Sequence, residues 1–108
     1  VVDEKQAQLL VDRFQLAGFV EACRLLDEGI ASARDIDLAM RAGAGYPKGP
    51  LAWADSVGLD VVLAKLEELY PRYGEAFAIP ERLRTMVARG ELGKKTGKGF
   101  FEYAASEE

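Results

Sequence analysis

The sequence predicts an all-α fold: a single helical domain of about five helices, the first of them long. Three observations predict it. Apolar residues recur at helical spacing through most of the chain. Glycine or proline stands wherever that spacing breaks. At 108 residues, with 49% hydrophobic and 30% charged residues, the chain suits one ordinary globular core.

The first helix should run from about Glu4 to Glu28. At 100° per residue it has two apolar faces, one of Leu9, Leu16, Val20 and Cys23, the other of Val11, Gly18, Ala22 and Leu25. Between them lie a charged stripe of Arg13, Glu21, Arg24 and Glu28 and a narrow polar stripe of Gln8, Asp12 and Gln15. A helix apolar on two sides needs two packing partners, as inside a bundle or at a subunit interface. Gly29 can cap its C-terminus in the left-handed conformation.

Ser32, with Asp35 three positions on, resembles a capping box opening a second helix through about Ala42, with Ile36, Ala39 and Met40 as its buried stripe. A Gly43 to Gly49 loop follows, and Pro50 suits the first turn of a short third helix holding Leu51, Trp53 and Val57. Gly58 closes that helix. Asp60 is expected to cap a fourth, with Val61, Val62, Leu66 and Leu69 apolar and Pro71 just past its end. Pro80 to Arg89 forms the fifth, stopped by Gly90. A glycine-lysine turn and an extended segment, Phe100 to Tyr103, complete the chain.

Composition narrows the chemistry. The chain has no histidine and a single cysteine, Cys23, so it holds no imidazole base, no Ser-His or Cys-His pair, no disulfide and no zinc constellation. A net charge of -4 without a dense basic stripe argues against a nucleic-acid partner. No apolar run approaches the ~20 residues of a membrane span, and no signal sequence is evident, so a cytoplasmic protein is expected. The start at Val1, running almost at once into a long helix, reads as that of a fragment.

Two glycine-rich stretches invite a phosphate-loop reading and fail it. GAGYPKG, Gly43 to Gly49, puts Lys48 where a dinucleotide loop needs its third glycine, and it follows a helix instead of a strand. GKKTGKG, Gly93 to Gly99, lacks P-loop spacing and leads into an extended aromatic segment, so it reads as a tight turn whose lysines are solvated or meet a phosphate. Trp53, Phe100, Phe101 and Tyr103 read as core or interface anchors, and Cys23 as a small packed hydrophobe.

RLLDEGIASARDIDLAMRAGAGYPKGPLAWADSVGLDVVL, from Arg24 to Leu63, and GKKTGKGFFEY, from Gly93 to Tyr103, closely resemble the C-terminal domain of 3-hydroxyacyl-CoA dehydrogenases. The capped helix, GYPxGP loop, GLD helix start and GKKTGxGF tail come in that family's order. The resemblance implies a fold like the C-terminal domain of 6-phosphogluconate dehydrogenase. It also implies a fatty-acid or related β-oxidation enzyme acting on an acyl-CoA, with NAD and a histidine-glutamate pair in a separate Rossmann domain. The present chain, residues 1–108, would be the substrate-side and dimerisation domain, binding no cofactor or metal itself and inactive alone. The alternative is a non-catalytic structural module.

In that family the first helix carries an Asn-Arg pair whose asparagine joins the active site, and the aligned pair here is Asp12-Arg13. The resemblance thus makes Asp12 the one candidate catalytic residue. An asparagine amide donates and accepts hydrogen bonds, whereas an ionised carboxylate only accepts. At ~4 Å from a developing oxyanion, with an effective dielectric near 20, a carboxylate is repelled by about 4 kcal/mol. Either Asp12 is protonated, or the chain is a second, non-catalytic copy of the module, packed on its sister as subunits pack in shorter enzymes. The second is favoured. On the plainest reading Asp12 is a partly exposed carboxylate paired with Arg13 or water.

Overall fold

The computed structural model describes residues 1–104, and among them the elements are α1 (Glu4–Asp27), α2 (Ala33–Ala44), α3 (Pro50–Val57), α4 (Leu59–Tyr73) and α5 (Glu81–Ala88). Two 3-10 turns, Glu75–Phe77 and Lys94–Thr96, lie before and after α5. The all-α expectation with a long first helix is met. The extended segment forms no sheet, only isolated bridges of Lys98 with Gly93 and with Glu102.

α1 opens on a capping box that the helical spacing did not reveal: Asp3 accepts from the Gln6 backbone while the Gln6 side chain accepts from Asp3 N. It ends as expected, with Gly29 left-handed at φ 71° and its N–H bonded to Leu26 O. The two-faced pattern holds only in the second half of the helix. Leu16, Phe19, Val20, Ala22 and Cys23 are buried, whereas Leu9, Leu10, Val11 and Phe14 stand exposed, Phe14 by 75%. At 1.5 Å per residue the 24-residue helix is about 36 Å long, close to the 40 Å long axis of the chain, so its first turns outrun the bundle. Phe19, absent from both expected faces, is instead central: fully buried, it meets Phe100 edge-on at 5.7 Å between ring centroids.

Other boundaries shift for local reasons. α2 continues to Ala44, because Gly45 rather than Gly43 takes the left-handed cap at φ 74°. Of its expected stripe Ile36 is buried, Met40 half-buried and Ala39 exposed. α4 begins one residue before Asp60, so Gly58 occupies the cap position and Asp60 sits in the first turn, ion-paired with Lys95 Nζ at 2.6 Å. Pro71 lies inside α4, not beyond it. Only the final turn follows that proline, closed by Gly74 N bonding Tyr70 O at 2.9 Å. Val62 and Leu66 of α4 are buried, but Val61 faces outward.

The core joins the second half of α1 to Leu51 and Ala54 of α3, Leu59, Val62 and Leu66 of α4, Phe77 and Leu83. Trp53, Phe100 and Phe101 pack on its edge, as expected of anchors. Cys23 is fully buried and unpaired, and burial pushes its thiol up to about 12, leaving it protonated and inert.

Candidate functional site

The two buried polar side chains of the described residues, Asp37 and Asp55, explain both glycine motifs. α3 starts at Pro50 behind Gly49, which has no side chain to cap it. Asp37, one turn into α2, supplies the cap from outside: its two oxygens accept from Leu51 N at 2.9 Å and Ala52 N at 2.8 Å. Gly49 passes so close that an added Cβ would overlap the Asp37 side chain. The GYPKGP loop is therefore built around a carboxylate that fastens α2 to α3.

Asp55, near the end of α3, does the same for the C-terminal segment. Phe100 N and Phe101 N each donate to it at 3.0 Å, and Tyr103 Oη donates at 2.8 Å. A Cβ on Gly99 would strike its carboxylate, and one on Gly93 its backbone. Burial pushes the Asp55 carboxyl above its ordinary range and nearby Asp37 adds to the effect, while the three donors pull it back. A folded-state value above the unfolded one means that stability falls as the pH climbs from the ordinary aspartate range to the raised value.

The lysines of the tail turn are engaged. Lys95 pairs with Asp60, which is thereby held below its usual range; Lys98 Nζ lies 3.7 Å from Glu91; Lys94 stands over the Tyr103 ring at 5.9 Å. The turn fastens itself down.

Asp12 is on the part of α1 facing α4, half-buried. Lys65 of α4 donates to its Oδ2 at 3.4 Å, and Gln8 Nε2 donates to its Oδ1 at 2.9 Å. Its partner is thus not the adjacent Arg13, whose guanidinium stacks 4.0 Å from the Tyr73 ring centroid. Gln15, the third residue of that stripe, has its side-chain oxygen buried without a hydrogen-bond partner. Among the described residues no cluster of histidine, cysteine, aspartate or glutamate is placed to hold a metal ion, and no helix is long and apolar enough to cross a membrane.

These contacts define an all-α module whose buried carboxylates fasten its loop and tail, and comparison with known proteins gives it a family. Residues 10–103 match the 3-hydroxyacyl-CoA dehydrogenase C-terminal domain, and the chain belongs to that family. It is 42% identical over 97 residues to the mouse mitochondrial hydroxyacyl-coenzyme A dehydrogenase, covering 87% of this chain and 31% of that one. The crystal structure of (S)-3-hydroxybutyryl-CoA dehydrogenase from Ralstonia eutropha superposes with a TM-score of 0.79 at 41% identity, over 86% of this chain and 33% of the other. That of 3-hydroxybutyryl-CoA dehydrogenase from Escherichia coli gives 0.81 at 36% identity, over 91% of this chain but only 21% of the other. The chain spans about a third of the length of the curated relatives it matches.

Proposed function

We propose that the chain is the substrate-side and dimerisation domain of an NAD-dependent enzyme oxidising 3-hydroxyacyl-CoA to 3-oxoacyl-CoA in the cytoplasm. NAD and the proton-transferring groups belong to a separate Rossmann domain. The histidine-free bundle supplies walls and contacts, and the exposed Leu9, Leu10, Val11 and Phe14 of α1 are the face that a second subunit or sister module covers.

A specific observation favours the reading that this is a structural copy of the module. Asp12 stands at the family's asparagine position and is already held by Lys65 and Gln8. Both of its oxygens accept hydrogen bonds within the chain, whereas the family's asparagine brings an amide that can also donate. In the intact protein Asp12→Asn is expected to leave turnover within about threefold. A change on the order of 100-fold, about 2.7 kcal/mol in the barrier, would put Asp12 at the reaction centre instead.

A further inference from the structure

We infer that the first half of α1 is an arm that opens and closes on the bundle as a unit, and that Asp12 and Arg13 are the latch that holds it shut. None of residues 4–15 is buried, and the buried positions of the helix begin at Leu16. Among the described residues, no apolar side chain of α1 before Leu16 packs on the core. A helix of that length is marginal in water, because isolated helices shorter than ~12–15 residues gain too little to offset nucleation. The capping box of Asp3 and Gln6 closes the far end only within the helix itself. Side-chain links must therefore hold the arm to the bundle.

Asp12 and Arg13 make those links in two directions. Asp12 Oδ2 accepts from Lys65 of α4 at 3.4 Å, while the Arg13 guanidinium lies 4.0 Å from the Tyr73 ring centroid and 5.5 Å from that of Phe77. As neighbours in sequence the two side chains leave the helix about 100° apart. Their partners Lys65 and Tyr73 stand about 12 Å apart along α4. Two grips so separated fix the direction of the arm, where one would leave a pivot. Gln8 Nε2 donates to Asp12 Oδ1 at 2.9 Å and carries the grip one turn further out.

Packing under the latch is incomplete. A cavity of about 120 Å³ lies between Leu9 and Leu16 of α1 and Leu69 of α4, and Asp12, Arg13 and Lys65 also line it. Polar links thus stand where apolar packing would otherwise join the two helices. A partly exposed ion pair is weak and screened by salt, so this latch opens far more often than the core unfolds. Leu10 and Phe14 lie roughly opposite Asp12 around the helix, so the closed latch holds them as a fixed apolar stripe and spares a partner the cost of ordering it. That consequence rests on the reading of this face as one that a second subunit or sister module covers; the latch itself does not.

Amide hydrogen exchange of the ¹⁵N-labelled chain tests it, with residues 8–14 read against residues 19–23. In the parent the first set should exchange at least about tenfold faster than the second, yet more slowly than an unstructured chain. Arg13→Met with Lys65→Met removes both grips while keeping the apolar stems and the helix propensity. The double variant should speed residues 8–14 by about five- to tenfold and residues 19–23 by less than about twofold. Lys65→Met alone should give about threefold, and 1 M salt should reproduce that effect in the parent but not in the variant. Arg82→Met, which breaks the pair with Asp27 at the other end of α1, should leave residues 8–14 within about 1.5-fold. Because exchange is read within one chain, a face that no partner covers leaves these expectations as they stand. Unchanged exchange of residues 8–14 in the double variant, or equal acceleration of both sets, would overturn the latch. So would protection of residues 8–14 that is lost when the parent is diluted tenfold, since a covering partner would then be what holds the arm.

Discussion

Asp55→Ala should destabilise the fold by on the order of 4 kcal/mol. The substitution leaves Phe100 N, Phe101 N and the Tyr103 hydroxyl without their acceptor in a place that is 1% exposed. Each buried donor left unpaired costs about 1–3 kcal/mol, and the three share one carboxylate, so their costs do not simply add. Against a total stability of roughly 5–15 kcal/mol this is a large fraction. At ~4–8 °C per kcal/mol for a domain near this size, the melting temperature should fall by roughly 15–30 °C. Thermal unfolding followed by circular dichroism measures it. Asp55→Asn, which keeps one acceptor oxygen, should fall between the variant and the parent. A shift below about 5 °C for Asp55→Ala would mean that the tail is held by Phe100 packing on Phe19 and not by the carboxylate.

Gly93→Ala should cost on the order of 3 kcal/mol or more, for two combined reasons. Gly93 has φ 102°, where a side chain is strained, and its added Cβ would overlap the Asp55 backbone, which cannot swing aside as a flexible side chain could. Gly90 isolates the first reason, because it also has a positive φ, 75°, but nothing lies within 4 Å of an added Cβ. Gly90→Ala is therefore expected to cost only about 1 kcal/mol. Denaturant midpoints of the two variants check the difference, and equal losses would remove the close approach to α3 from the explanation of the GKKTGKGF motif.

Much of this architecture was legible in the sequence because its punctuation is local. Ser32, Gly29, Pro50, Gly58 and Gly90 act on their own neighbours, and the helices they delimit lie within a residue or two of where the spacing puts them. The errors arise where a distant partner decides. Asp60 is a plausible cap by position, but Lys95 of the tail claims its carboxylate. The apolar first turns of α1 match a buried pattern, but the bundle is too short to cover them.

Asp37 and Asp55 were missed for the same reason: each bonds to backbone at least 14 positions away along the chain. One signal did exist. A helix beginning Gly-Pro has no cap of its own, so its first free N–H groups had to be met from elsewhere. For Asp12, the sequence marked the position but not the partner. Lys65 lies 53 residues on and is brought over by the packing of α4.

The central claim is that this bundle carries no reacting group and depends on another domain for proton and hydride movement. It is tested most directly by mixing the purified 108-residue chain with NADH and acetoacetyl-CoA and following absorbance at the nicotinamide band. The account predicts no oxidation of NADH above the enzyme-free rate at any chain concentration. A rate that rises in proportion to chain concentration would contradict it.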